Sequence, residues 1–335
     1  MRICPNPFEN IEIDSEGDVY TCCINWINNY SIGNIYDNSL DEIWNGQKVQ
    51  KLRENILKGD YSLCSQEFCQ YCTSGNIPNP SFLMKDEFKV KMKKYPSVVK
   101  LSYDKECNIA CRICRDDIIK NTQEEYKKLD KIFKKYILPS LKNAKTVIIN
   151  AHGDPFGSRH CRKVIKVISE KYPEIKFDFH TNGTLCDEKQ FERLKIKEKI
   201  NTMRISVSAT TSETYGKIVK NGDKLFKKLK SNLEFLSQLQ RERQFEFYMH
   251  FVVSSKNYKE MGDFAEMAVS YNAIPCYWEY TPNCVSFAKN LDESWIITDA
   301  KNPEYKQFKK AVKDKRLNNF ELYMSPLLIK IRQEN

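Results

Sequence analysis

Two periodicities share the middle of the chain. Short runs suited to extended backbone recur at Val98–Tyr103, Thr146–Asn150, Lys176–His180, Thr202–Ser208, Glu246–Val253 and Pro275–Tyr280. Between them, apolar residues three and four apart predict helices from near Asp117, over Ser158–Lys171, around Glu188–Leu194, over Glu213–Val219 and Lys224–Leu239, and over Tyr258–Tyr271. Six strands alternate with helical segments. That order predicts an α/β protein with parallel strands and with its chemistry in the loops at the C-terminal strand ends.

Upstream the pattern breaks into turns. Asp14–Val19 reads as a small hairpin, and Leu40–Ile56 has helical periodicity. Residues 76–96 read as a connector, broken at Pro78, Pro80 and Pro96, with a lysine-rich helix between. Beyond residue 285, helical patches at Tyr305–Val312 and Phe320–Ile331 predict an extension that caps the core.

Composition narrows the class. A chain of 335 residues with 41% hydrophobic and 29% charged residues can bury a full core, which excludes wholesale disorder. No apolar run approaches the roughly 20 residues of a membrane span, and Met1-Arg2-Ile3-Cys4-Pro5 is not an apolar secretion signal. The net charge of +10 comes from 54 Lys and Arg against 44 Asp and Glu. The lysines fall on amphipathic stretches such as Lys217–Lys230, where Phe226 and Leu229 mark the buried side. A solvated surface therefore accounts for the charge better than nucleic-acid binding does. The 13 cysteines change the picture most. Without an export signal they indicate a reducing, cytoplasmic setting, where dense cysteine means metal ligands or catalysis rather than disulfides.

Cys107, Cys111 and Cys114 are spaced C-x3-C-x2-C directly after the apolar alternating segment Val98–Tyr103. Three thiolates on one tight loop can hold three corners of a cubane iron–sulfur cluster and leave the fourth iron open to a small molecule. Zinc, which prefers four ligands in paired C-x2-C elements, fits the trio poorly. The spacing, with the strand–helix order after it, resembles the radical S-adenosylmethionine (SAM) superfamily. The resemblance implies a partial (β/α)6 TIM-like barrel and SAM chelated to the open iron. It implies reductive cleavage of SAM to a 5′-deoxyadenosyl radical that removes a substrate hydrogen. It assigns the SAM amino group to the turn Gly153-Asp154-Pro155, the ribose to Ser206 and Ser208 with Asn182 facing the same pocket, and the adenine contact to Ile113. Lys217 or Lys220 is the counterpart for the SAM carboxylate.

The N-terminal cysteines form a second pattern. Cys4, Gly17 and Cys22 lead into Gly33-Asn34-Ile35, Leu40-Asp41-Glu42-Ile43-Trp44 and the closing Cys69-x2-Cys72. This resembles the SPASM and twitch auxiliary-cluster domains of radical SAM enzymes, which usually follow the barrel and here precede it. The resemblance implies one auxiliary [4Fe–4S] cluster on Cys4, Cys22, Cys69 and Cys72, with Cys23 and Cys64 in reserve. A zinc ribbon is the alternative. The implied division is an auxiliary domain at 1–75, a connector at 76–96, the barrel at 97–285 and a helical extension at 286–335.

Among the remaining cysteines, Cys276 and Cys284, at the last barrel strand and just beyond it, are the candidates for a hydrogen-atom donor in the cavity. The single-cluster layout resembles the radical SAM dehydrogenases of amino sugars and cyclitols. It implies oxidation or epimerisation of a carbohydrate or similar polar metabolite, with a flavodoxin- or ferredoxin-type electron donor. Modification of a ribosomal peptide or protein is the close alternative. A zinc-dependent nucleic-acid-binding protein and a two-cluster electron carrier are alternatives of other classes.

Overall fold

Strand β1 (Asn10–Ile13) opens a small antiparallel system with β2 (Asp18–Tyr20) and β3 (Gly33–Asn34) in a computed structural model. The structure describes residues 3–80, 82, 87–149, 152–282, 287–289 and 291–334. The Asp14 carboxylate accepts from the backbone N–H of Glu16 and Asp18 at 2.9 Å each, and so closes the turn between β1 and β2. Gly17 sits there at φ +82°, where a Cβ would lie 2.5 Å from the Tyr36 ring. The hairpin predicted around Asp14–Val19 is therefore present.

The chain divides into two compact units, neither contiguous in sequence. The first comprises 1–105, 121–153 and 158–178; the second comprises 106–120, 154–157 and 179–335. In the first unit, β4 (Val98–Leu101) and β5 (Thr146–Ile149) run parallel, with Val98 opposite Thr146. On its other edge β4 pairs in parallel with β1, Asn10 opposite Val98 and Ile13 opposite Leu101. The cysteine-rich N-terminus thus contributes a strand to the same sheet as the first barrel-type strands.

Of the connector helix expected between Pro80 and Pro96, residues 81 and 83–86 lie outside the described residues, Glu87 stands in a 3-10 turn, and residues 88–96 form no helix. Side chains from Trp44, Asn45 and Arg53 take up the backbone groups a helix would use internally. Trp44 Nε1 donates to the Lys94 carbonyl at 2.8 Å, Arg53 Nη1 donates to the Val90 carbonyl at 3.1 Å, and Asn45 bonds both the N–H and the carbonyl of Met92. The helix expected from near Asp117 begins instead at Gln123. Thr122 and Glu125 form a reciprocal cap there, each accepting the other's backbone N–H.

A buried polar cluster backs the helix Arg159–Lys171 of this unit. His160, fully buried, bonds the Tyr103 hydroxyl at 2.8 Å through Nε2 and meets Asp130 at 3.1 Å through Nδ1. Burial holds its pKa below the ordinary imidazole value against the pull of Asp104 and Asp130. A depressed histidine contributes stability above its unfolded pKa that is lost as pH falls. The unfolding midpoint is expected to drop between about pH 7 and pH 5. His160→Gln should flatten that slope in thermal melts.

The second unit carries the parallel strands β7 (Ile200–Ser206), β8 (Glu246–Val253) and β9 (Ile274–Glu279), and β6 (Lys176–Thr181) crosses the boundary between units. Burial alternates along the strands. Met203, Ile205, Met249, Phe251, Val253 and Tyr277 are fully buried, and the helix Met261–Ser270 packs against β8 and β9. The opposite face carries Arg204, Ser206, Tyr248, His250, Cys276 and Trp278 in register across neighbouring strands. The tail also differs from its expectation. Within Phe320–Ile331, β10 (Tyr323–Met324) pairs in parallel with β9, and the helix starts only at Pro326 behind the Ser325 cap. Proline is suited to the first helical turn and cannot continue a strand ladder, so it sets that boundary. No helix of the described residues is long and apolar enough to cross a membrane.

Candidate functional site

The Cys107–Cys114 loop is held by backbone bonds on every side. Cys107 N donates to the Ile119 carbonyl at 3.1 Å, and Cys114 N donates to the Cys111 carbonyl at 2.8 Å. Arg112 N reaches the Ile218 carbonyl and Lys220 N the Ala110 carbonyl, each at 2.9 Å, while Phe287 N reaches the Cys114 carbonyl at 2.7 Å. Burial pushes the Cys107 thiol up to about 11 and raises Cys111 further, and neighbouring thiols of the trio add to both shifts. Without a cation these sulfurs stay protonated; iron binding would release the protons. Arg115, itself buried, donates to Cys114 Sγ at 3.5 Å.

Asp154 braces this loop from the next strand end. It is 1% exposed, and its two oxygens accept four hydrogen bonds. Oδ1 takes the N–H groups of Phe156 and Gly157 at 3.0 and 2.8 Å, and Oδ2 takes the Thr181 hydroxyl and the Asn182 N–H at 2.7 and 2.8 Å. Burial still raises its pKa over the ordinary carboxylate value. The protein itself thus occupies the acceptors that the sequence assigned to SAM. Asn182 in turn donates to Asn108 Oδ1 at 3.0 Å and towards Cys107 Sγ at 3.8 Å. Gly157 permits this approach, since a Cβ there would stand 2.6 Å from Asn108 Oδ1. Gly153 belongs to the first compact unit, and Ile113 is half-buried in the cysteine turn.

Ser206 lies at the end of β7, bonded to His180 Nε2 at 3.0 Å. His180 meets His250 with ring centroids 5.0 Å apart. Burial, aided by His180 and Arg204, holds His250 well below the usual imidazole range, so it is neutral. Ser208 adopts φ +55° and accepts from Val252 N at 3.0 Å. Cys276 is opposite His250 across the β8–β9 ladder, and burial pushes its thiol up to about 12. Cys284 lies outside the described residues. Lys217 pairs with Glu213 at 2.6 Å and Lys220 with Asp117 at 3.1 Å. A cleft of about 900 Å³ beside the loop is lined by Arg112, Lys217, Ser255, Asn257, Tyr258 and Trp295, among others.

In the first unit, neighbouring thiols, Cys69 among them, help raise the pKa values of Cys4, Cys22, Cys64 and Cys72, so five thiols lie together where four were expected. Burial dominates each shift that is resolved, pushing Cys4 and Cys64 up to about 12 and Cys72 up to about 11. Cys64, held in reserve on sequence, is hydrogen-bonded to Cys72, and Cys23 adds to the shift of Cys22. Among the described residues, no three His, Cys, Asp or Glu side chains gather tightly enough for a single metal ion. A cubane spreads its thiolates over separate irons and needs a wider set.

Residues 4–79 match the family model of the SPASM iron–sulfur cluster-binding domain. The chain is 29% identical over 124 residues to the FeMo cofactor biosynthesis protein NifB of Methanocaldococcus infernus, a match covering 34% of this chain and 40% of that protein. The chain carries a SPASM domain over residues 4–79, and the two matches together support a radical SAM enzyme. Its cofactors are accordingly [4Fe–4S] clusters and SAM. Among solved structures, SuiB of Streptococcus suis is similar at a TM-score of 0.47 and 12% identity, over 83% of this chain and 54% of that one. The structure of anSMEcpe with bound AdoMet is similar at 0.39 and 12%, over 68% and 62%.

The radical SAM loop and the SPASM domain both fit an inorganic guest. Buried side-chain atoms without a partner among the described residues include the Tyr215 hydroxyl, which feels Cys107 and Cys111, and Ser255 Oγ, whose residue lines the cleft. Thr21 Oγ1, next to Cys22, is a third. Native interiors seldom leave such groups unpaired unless a ligand or water completes them. Sequence reasoning missed Tyr215, His180, His250, Asn108 and Arg115. Strand parity would have found the histidines, because His180 and His250 share the inward parity of Ser206 and Cys276.

Proposed function

We propose that this radical SAM protein cleaves SAM reductively and removes a hydrogen atom from a side chain of a peptide or protein. The observation that carries the reading is the three-thiol loop, fixed by backbone bonds and braced by the saturated Asp154. When bound, the cluster supplies the electron that breaks the SAM carbon–sulfur bond. Cys107, Cys111 and Cys114 would hold it, Arg115 and Asn182 would face its sulfurs, and the cleft beside Arg112 and Ser255 would take the nucleoside. A flavodoxin- or ferredoxin-type protein would supply electrons.

The face of β7–β9 supports a peptide over the sugar suggested by the sequence. It presents Tyr248, His250 and the 40% exposed Trp278, while Ser206 and Ser208 are engaged within the protein. Aromatic and imidazole surface suits side chains and backbone amides. A polyhydroxylated ligand needs a partner for each buried hydroxyl. Cys276 stands on the same face as a candidate hydrogen donor.

The test is anaerobic reconstitution, followed by 5′-deoxyadenosine assays under dithionite with peptides encoded beside the gene and, in parallel, sugar nucleotides. Peptide-dependent product above the uncoupled background supports the reading; stimulation by sugar nucleotides alone overturns the substrate class. Two clusters require about eight irons per chain. The double change Cys69→Ala and Cys72→Ala is expected to leave about four irons and to retain SAM cleavage without substrate, checked by iron assay and chromatography.

A further inference from the structure

The helix Ser212–Ile218 is joined to the radical SAM loop through backbone. Cys111 forms a bridge with Val219, and the Ile218 carbonyl and Lys220 N–H are both bonded to the loop. One turn earlier stands Tyr215, 1% exposed. Its ring lies against Phe226 at 5.4 Å, and its carbonyl accepts from Val219 N at 2.8 Å. Its hydroxyl has no partner among the described residues. A buried donor left unmet is destabilising unless a ligand completes it. Burial raises the phenol's pKa, and Cys111, Asp154 and Cys107 raise it further, so the group is a neutral donor. Asp154 is not the missing acceptor, since both its oxygens already take two donors each. Protonated thiols accept weakly, whereas iron-bound sulfurs accept well.

We propose that the Tyr215 hydroxyl donates a hydrogen bond to a sulfur of the iron–sulfur group on Cys107, Cys111 and Cys114, and so raises its reduction potential. The inference rests on the cluster assignment above. The reduced cluster carries one more negative charge, so a fixed donor at its sulfur favours reduction. Tyr215 is a positioning residue here: it acts on the cluster and does not touch substrate.

The test compares the full wild-type chain with Tyr215→Phe and Tyr215→His, each reconstituted anaerobically. Reduction is followed by electron paramagnetic resonance without SAM, on the signal that SAM addition later perturbs. Tyr215→Phe is expected to lower the reduced-to-oxidised ratio about tenfold at a given ambient potential, a shift of about 59 mV. Tyr215→His, which restores a donor, should recover part of it. As a second readout, cluster loading should raise the melting temperature of wild type more than that of Tyr215→Phe, whose metal-free form melts no lower than wild type. Equal potentials and equal gains on loading overturn the inference alone. A shift seen only with SAM present also overturns it, because the acceptor is then SAM. A wild type that takes up no iron–sulfur overturns the cluster assignment and the inference together.

Discussion

Cys111→Ala is expected to bring 5′-deoxyadenosine formation down to the level of a protein-free control and to remove about four of the eight irons. Three sulfurs are the fewest that leave one iron open while still anchoring a cubane. With two, the cluster loses a second protein ligand and its hold on the loop. Cys111 is the most demanding of the trio, because its residue also bridges Val219 at the end of the neighbouring helix. The loss should therefore be specific to the radical SAM loop, leaving the SPASM charge-transfer bands in place. The control is Cys186→Ala, a fully buried cysteine next in sequence to the Asp187 helix cap. It should lower stability modestly and keep the full iron content. Iron and sulfide assays with product chromatography on the two variants check the contrast. Full activity of Cys111→Ala would remove the basis of the proposed function.

The second large effect is on stability. Asp154→Ala strips the acceptor from Phe156 N, Gly157 N, Asn182 N and the Thr181 hydroxyl at once. Each buried donor left unpaired costs about 1–3 kcal/mol, and the costs do not simply add. The expected destabilisation is about 3–5 kcal/mol. Asp154→Asn keeps one carbonyl oxygen and should fall between. Denaturant unfolding of the metal-free chain measures both. The variants should also release iron faster, because Asn182 loses the bond that holds its side chain toward Cys107 and Asn108.

Much of the parallel sheet and its helices was legible because local pattern determines them. The strand Glu246–Val253 and the helix Glu188–Leu194 occupy the residues their periodicities mark. Where the reading failed, a distant partner decided the outcome. The helix expected near Asp117 yields to the Thr122–Glu125 cap, and residues 116–120 are tied to Lys220 and Cys107 instead. Residues 88–96 of the connector are held by three side chains from residues 44–53. The pairing of β10 with β9 follows from the sheet edge rather than from composition. At the site, the cysteine spacing was a local signal. The closure of Asp154 on four donors and the isolation of the Tyr215 hydroxyl were not, because both depend on segments remote in sequence.

The parallel pairing of β1 with β4 constrains how the protein is made. Asn10 leaves the ribosome long before Val98, its neighbour in the sheet. The hairpin must therefore wait, one edge bare, until the first barrel strand is synthesised. Bringing such distant segments together carries a loop-closure cost that grows only slowly with length, but no nearby contact offsets it early. The amino-terminal thiols spend that interval exposed beside an unsatisfied strand edge, the arrangement most open to oxidation or to pairing with another nascent chain. Maturation of the metal centres thus belongs after translation of this segment, in an environment that shields it.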